Sequence, residues 1–126
     1  MSFSVTYDLS LDCILTTMDG SLDQKQVSAF FEQVGRTAAE HSCKRVLSDL
    51  RNARIVAPLA DIYEMASAIE KKGILTSFKR AIVISKDQED YDFWKTVCHN
   101  TGHANIRLFH DYDEAMAWVL AQPIKR

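Results

Sequence analysis

The chain has 126 residues, 47% of them hydrophobic and 25% charged, with a formal net charge of −2. That length suits one domain, residues 1–126, able to bury roughly two thirds of the surface its unfolded chain exposes. The near-neutral balance, with both signs interspersed, argues against nucleic-acid binding through a basic stripe and against an acidic solvating tail, and no apolar run approaches the length of a transmembrane segment.

Phe3, Val5, Tyr7 and Leu9 alternate with Ser4, Thr6 and Asp8. This period of two predicts a half-buried strand. Ser10-Leu11-Asp12 is a tight connection to a second β-rich run, Cys13 to Met18, so the two form an antiparallel hairpin. Asp19-Gly20 is expected to break that strand. Ser21, three residues before Gln24, has the spacing of a capping box and is expected to open a helix. Val27, Phe30, Phe31, Val34 and Ala38 then form one apolar stripe, with Lys25, Glu32, Gln33, Arg36 and Glu40 elsewhere on the helix.

Arg45 to Leu50 reads as a buried strand with Asp49 near its end, and Arg51 to Ala57 as a loop. Pro58 suits a first helical turn, because its missing N–H would be unpaired there anyway. The stripe of Leu59, Ile62, Met65 or Ala66, and Ile69 continues that helix until Lys71-Lys72-Gly73 ends it. Ala81-Ile82-Val83-Ile84 is a continuous apolar run, as in a strand covered on both faces. A helix is predicted over Asp87 to Thr101, with Tyr91, Trp94, Val97 and Cys98 on one side and Gly102 as its stop. Ile106 to Phe109 is the last strand. Asp111 caps the last helix, with Glu114 three residues on and Ala115, Trp118 and Val119 on its buried face.

The predicted order is β-β-α-β-α-β-α-β-α, an α/β fold. The expectation is a single-domain mixed five-stranded sheet, mostly parallel with an antiparallel N-terminal edge strand, and four helices. Phe3, Val5 and Tyr7 on that edge strand could extend the sheet across a homodimer. A monomer protected by the strand's polar face is the other reading.

In an open α/β sheet, ligands bind beyond the carboxyl ends of the parallel strands. The sequence places Asp19, Gly20 and Ser21 there after the second strand. Asp49, Arg51 and Asn52 follow the third strand, Ser85, Lys86 and Asp87 the fourth, and His110 and Asp111 the fifth. Asp49, Arg51, Asn52, Arg54, Asp61, Ser85, Lys86 and His110 are the candidate partner- or ligand-binding residues. The competing reading is structural: Ser21, Asp87 and Asp111 are helix caps, and the remainder is solvated loop.

No phosphate-binding loop and no G-x-G-x-x-G is present; the four glycines are isolated. No H-E-x-x-H occurs. His99 and His103 are four apart, but Gly102 between them spoils a common helical face, and no metal site is expected. Cys43 lies near His41 without an identifiable orienting group, so no catalytic residue is assigned, and no cofactor is expected. An enzyme using Asp49, His110 or Cys98 would lack a readable nucleophile–base–orienter set. Met1-Ser2-Phe3-Ser4 has no positively charged region leading into an apolar core, so no signal peptide is expected. Cys13, Cys43 and Cys98 form no C-x-x-C pair and read as reduced thiols in the cytoplasm.

The hairpin, Asp19-Gly20-Ser21-Leu22, and Val46-Leu47-Ser48-Asp49-Leu50-Arg51 together resemble the STAS domain of anti-sigma-factor antagonists. Phe93-Trp94-Lys95-Thr96-Val97, Gly102, Ile106-Arg107-Leu108-Phe109 and Glu114-Ala115-Met116-Ala117-Trp118-Val119 are similar to a bacterial branch of small stand-alone SpoIIAA-like proteins, also described as STAS/SEC14-like. The resemblance covers nearly the whole chain. It implies a SpoIIAA-like fold and a non-enzymatic role in binding protein partners, sometimes switched by phosphorylation of a Ser or Thr after the third strand. Here no Ser or Thr occurs from Leu50 through Ala66, so a serine-phosphorylation switch is not expected. The SEC14-like side of the resemblance implies the alternative, a lipid or small apolar ligand, for which aromatic-rich helices over a thin sheet would provide the lining.

Overall fold

The computed structural model describes residues 2–55, 78–85 and 105–121. The helices expected from Pro58 and from Asp87 lie outside the described residues. The described elements are β1 (Ser2–Asp8), β2 (Cys13–Leu22), α1 (Gln24–His41), β3 (Arg45–Ile55), β4 (Lys79–Val83), β5 (Ile106–Phe109) and α2 (Tyr112–Leu120). The strands form one five-stranded sheet in the order β1-β2-β3-β4-β5. β1 is antiparallel to β2, and the other neighbours are parallel. The mixed sheet with its antiparallel edge strand therefore matches the expectation from the pattern.

Three boundaries differ from that expectation. Leu9 does not continue the inward alternation of β1; it sits in the hairpin turn, 81% exposed. Asp12 closes that turn with a positive φ of 50°. Asp19-Gly20 does not break β2. A register shift between Thr17 and Asp19 absorbs the irregularity, and Asp19 to Leu22 then pair with Asn52 to Ile55. Gly20 supports this with φ 86°, a conformation that a side chain would disfavour. Consequently α1 starts later than Ser21 would place it. Its cap is Asp23, whose carboxylate accepts the Gln26 N–H while the Gln26 side chain accepts the Asp23 N–H. The third change is the same event seen from β3: Arg51 to Ile55 are strand rather than loop, because β2 continues alongside them.

The apolar stripe of α1 is buried in full, with Val27, Phe30, Phe31, Val34 and Ala38 on the sheet. Ser42 ends the helix in the left-handed region, and the Cys43 N–H donates to the Ala38 carbonyl. On this face the helix meets Ile14, Met18, Val46, Leu50, Ile82 and Ile106. The opposite face carries Cys13, Leu47, Ala81 and Val83 under Ala115 and Val119 of α2. Asp111 caps α2 as expected, accepting the Glu114 N–H at 3.0 Å. Trp118 is half-buried rather than core; its ring lies 5.8 Å from Phe109 and 4.6 Å from the Lys79 ammonium. Lys79 also donates to the Ala121 carbonyl at 3.1 Å, placing a cation at the negative end of α2. Among the described residues no helix is long and apolar enough to cross a membrane.

Candidate functional site

The parallel strands all end on one side of the sheet, and the extension of β2 and β3 makes that edge a built surface. Asp49 and Arg51 are two apart on β3, so their side chains share a face. The Arg51 guanidinium forms a two-pronged pair with the Asp49 carboxylate, Nε to Oδ1 at 2.9 Å and Nη2 to Oδ2 at 2.8 Å. The Arg51 backbone N–H donates to the same Oδ1 at 3.2 Å. Hydrogen bonding from Arg51 holds the Asp49 carboxyl below its ordinary range despite partial burial. The same pair pushes the Arg51 pKa up.

The sharing of a face brings in a residue that sequence reasoning missed. Tyr112, the first residue of α2, lies under Arg51, with the guanidinium carbon 5.9 Å from the ring centroid. Burial, then the Asp49 charge, raises the Tyr112 pKa. The available signal was the position of Tyr112 directly after the Asp111 cap, at the end of the strand next but one to β3.

An open depression of about 310 Å3 lies beside this pair, lined by Gly20, Ser21, Arg51, Asn52, Arg54 and Ser85 among others. Thus the structure brings together Arg51, Asn52, Arg54 and Ser85 of the predicted set, with Asp49 behind Arg51. Gly20 and Ser21 reach the depression because β2 runs through them. His110 stands at the same edge in a different role: its Nδ1–H donates to the Ile84 carbonyl at 3.2 Å. That bond follows Ile84 N–H to Phe109 O and extends the tie between the fourth and fifth strands. Asp61 and Lys86 lie outside the described residues, as do Cys98, His99 and His103.

The described thiols are packing groups. Cys13 is fully buried, and desolvation pushes its pKa up to about 12. Cys43 is buried with its Sγ at 3.5 Å from the Asp12 and Arg45 carbonyls, and burial raises its pKa too. His41 turns away to stack on Tyr7 at 4.0 Å. Neither of these two described thiols is activated as a nucleophile, since burial raises the pKa of both. Among the described residues no three His, Cys, Asp or Glu side chains gather to hold a metal. Compared with known proteins, the chain matches no family model and no curated sequence.

Proposed function

We propose that this chain is a cytoplasmic, non-enzymatic protein-interaction or regulatory module of the STAS type, SpoIIAA-like in fold and without a serine-phosphorylation switch. Its partner contacts the strand-end edge through Arg51, Asn52 and Arg54. One observation carries this reading: the carboxylate of Asp49 and the ring of Tyr112 hold Arg51 in place beside the open depression. A guanidinium already fixed loses less conformational freedom when it meets a partner. Arg54, exposed on the same rim, takes part in no ion pair among the described residues. Two guanidiniums, an amide and hydroxyls match an acidic peptide segment, whose carboxylates accept from planar donors.

Among the described residues, the helix aromatics that would motivate an apolar-ligand carrier are used in packing. Phe30 and Phe31 are buried on the sheet, and Trp118 lies against Phe109 and Lys79.

Quantitative co-purification with the tagged chain tests the proposal. Arg54→Glu should reduce recovery of specific partners about tenfold, since reversing a contact charge converts attraction into repulsion. Arg51→Glu should do the same, while Arg36→Glu, exposed on α1 and not among the residues that line the depression, should not. Equal recovery with all three variants would exclude this edge as the interface.

A further inference from the structure

We propose that β1 and the adjoining flank of α1 form a symmetric homodimer interface, in which two copies join their sheets edge to edge. This surface is separate from the strand-end edge and does not rest on the function proposed for it.

Edge strands in proteins that stay monomeric are usually short, charged, bulged or covered. β5, at one edge, fits that description, with four residues and Arg107 among them. β1, at the other edge, does not. It runs for seven residues, pairs among the described residues only with β2, and carries no charge before Asp8 and no proline. Its inward side chains Phe3, Val5 and Tyr7 pack on the core yet remain half-exposed.

The helix above this edge repeats the pattern. Phe30 meets Phe3 at 5.6 Å and His41 stacks on Tyr7, so this side of α1 overlies β1. The other side points inward, with Phe31 5.7 Å from the guanidinium of Arg80. At about 100° per residue, the positions that face the open edge are Gln26, Ala29, Gln33, Thr37 and Glu40. They are small or neutral until Glu40. The charges Lys25, Glu32 and Arg36 lie further round the helix yet line one depression with Phe3, Ala29 and Gln33, within reach of that edge.

A twofold axis perpendicular to the sheet makes this surface complementary to itself. The contacts of Phe3 with Phe30 and Tyr7 with His41 place Gln33 roughly level with Ser4, given the rises of helix and strand. An axis there pairs β1 with its antiparallel copy over most of its length. It sets Gln33 against Gln33 of the second copy and Ala29 against Thr37 of the second copy. At both ends Lys25 comes within reach of Glu40 of the second copy. The spacing also works. Strands sit about 4.8 Å apart, and α1 packs over β1 and β2, so the two helices would lie about 10 Å apart, a normal packing distance. Phe3 and Val5 would then be covered. Two layers, each about 10 Å deep, along about 20 Å of edge bury on the order of 400 Å2 per protomer, which implies a micromolar rather than a permanent dimer.

The test is sedimentation of the full chain with two charge reversals. Lys25→Glu places an acid in the first turn of α1, and Glu40→Lys places a base in the last, so both suit the helix dipole and preserve folding. Wild type should rise from 14.3 kDa toward 28.6 kDa, twice the chain mass, across the micromolar range. Each variant alone should dimerise about tenfold more weakly, because both end pairs become repulsive. An equimolar mixture of the two variants should recover dimer, since both pairs are then attractive only between unlike chains. Amide exchange in Ser2–Asp8 should slow with concentration in wild type. A wild type that stays at 14.3 kDa at about 100 µM would overturn the proposal. So would a dimer indifferent to the two reversals, or β1 amides that exchange at the same rate at every concentration.

Discussion

The two faces of the sheet are filled differently. Under α1 the side chains are large: Ile14, Met18, Phe30, Phe31, Leu50 and Ile82. Under α2 the described buried set is Cys13, Leu47, Ala81, Val83, Ala115 and Val119, with two alanines and a cysteine among them. Large side chains bury the most apolar surface, so the described α1 cluster contributes a large part of the stabilisation. Small ones let α2 settle close to β3 and β4, which brings Tyr112 under Arg51. The α1 face and the face that shapes the strand-end edge are therefore distinct, and they should respond to different substitutions.

The largest effect is expected on the α1 face. Phe30→Ala removes a buried ring that meets both Phe3 and Phe31 and should destabilise the fold by about 3–5 kcal/mol in urea unfolding. A loss well under this range would mean that the two faces share the stability more evenly. The α2 face should fail by overfilling instead. Ala115 has no exposed surface, and Ala115→Leu should cost about 1–3 kcal/mol by pushing α2 away from Leu47 and Ala81. It should also lift Tyr112 out of its partly buried place near Asp49, readable as a fall in the tyrosine pKa by ultraviolet titration, because burial is the main cause that raises it. If Tyr112 titrates unchanged, close packing of α2 does not set the geometry of that edge.

The smallest effect belongs to the edge itself. Asp49 has a folded-state pKa below its ordinary value, so its contribution is fully present above the usual carboxylate range. That contribution is lost as pH falls through the lowered pKa. Asp49→Asn should therefore leave a shallower acid limb in unfolding profiles between about pH 5 and pH 2, with little change in the apolar core. Identical acid limbs in variant and wild type would remove Asp49 from the stability of the edge.

The pattern of residues made much of this fold legible. The alternation in β1, the stripe of α1 and the Asp111 cap each depend on neighbours within one or two turns or along one strand. The strand-end location of Arg51, Asn52, Arg54 and Ser85 was legible too, because it follows from chain direction in a parallel sheet. Three features were not. Leu9 looks inward by alternation, yet the turn that closes the hairpin takes it. Ser21 and Gln24 have capping spacing, yet Asp23 and Gln26 cap the helix. Tyr112 was legible only as the residue after the Asp111 cap at a strand end; its contact with Arg51 was not, since the two meet only when α2 folds back over β3.

The sequence by itself determined the succession of the described strands with the first and last helices, the buried face of α1 and the polar character of the strand ends, since these depend on local periodicity and capping chemistry. Only the tertiary structure decided that β2 runs through Gly20 to Leu22 and β3 through Arg51 to Ile55. Each extension exists because the other supplies its hydrogen-bond partners, and neither segment carries that information alone.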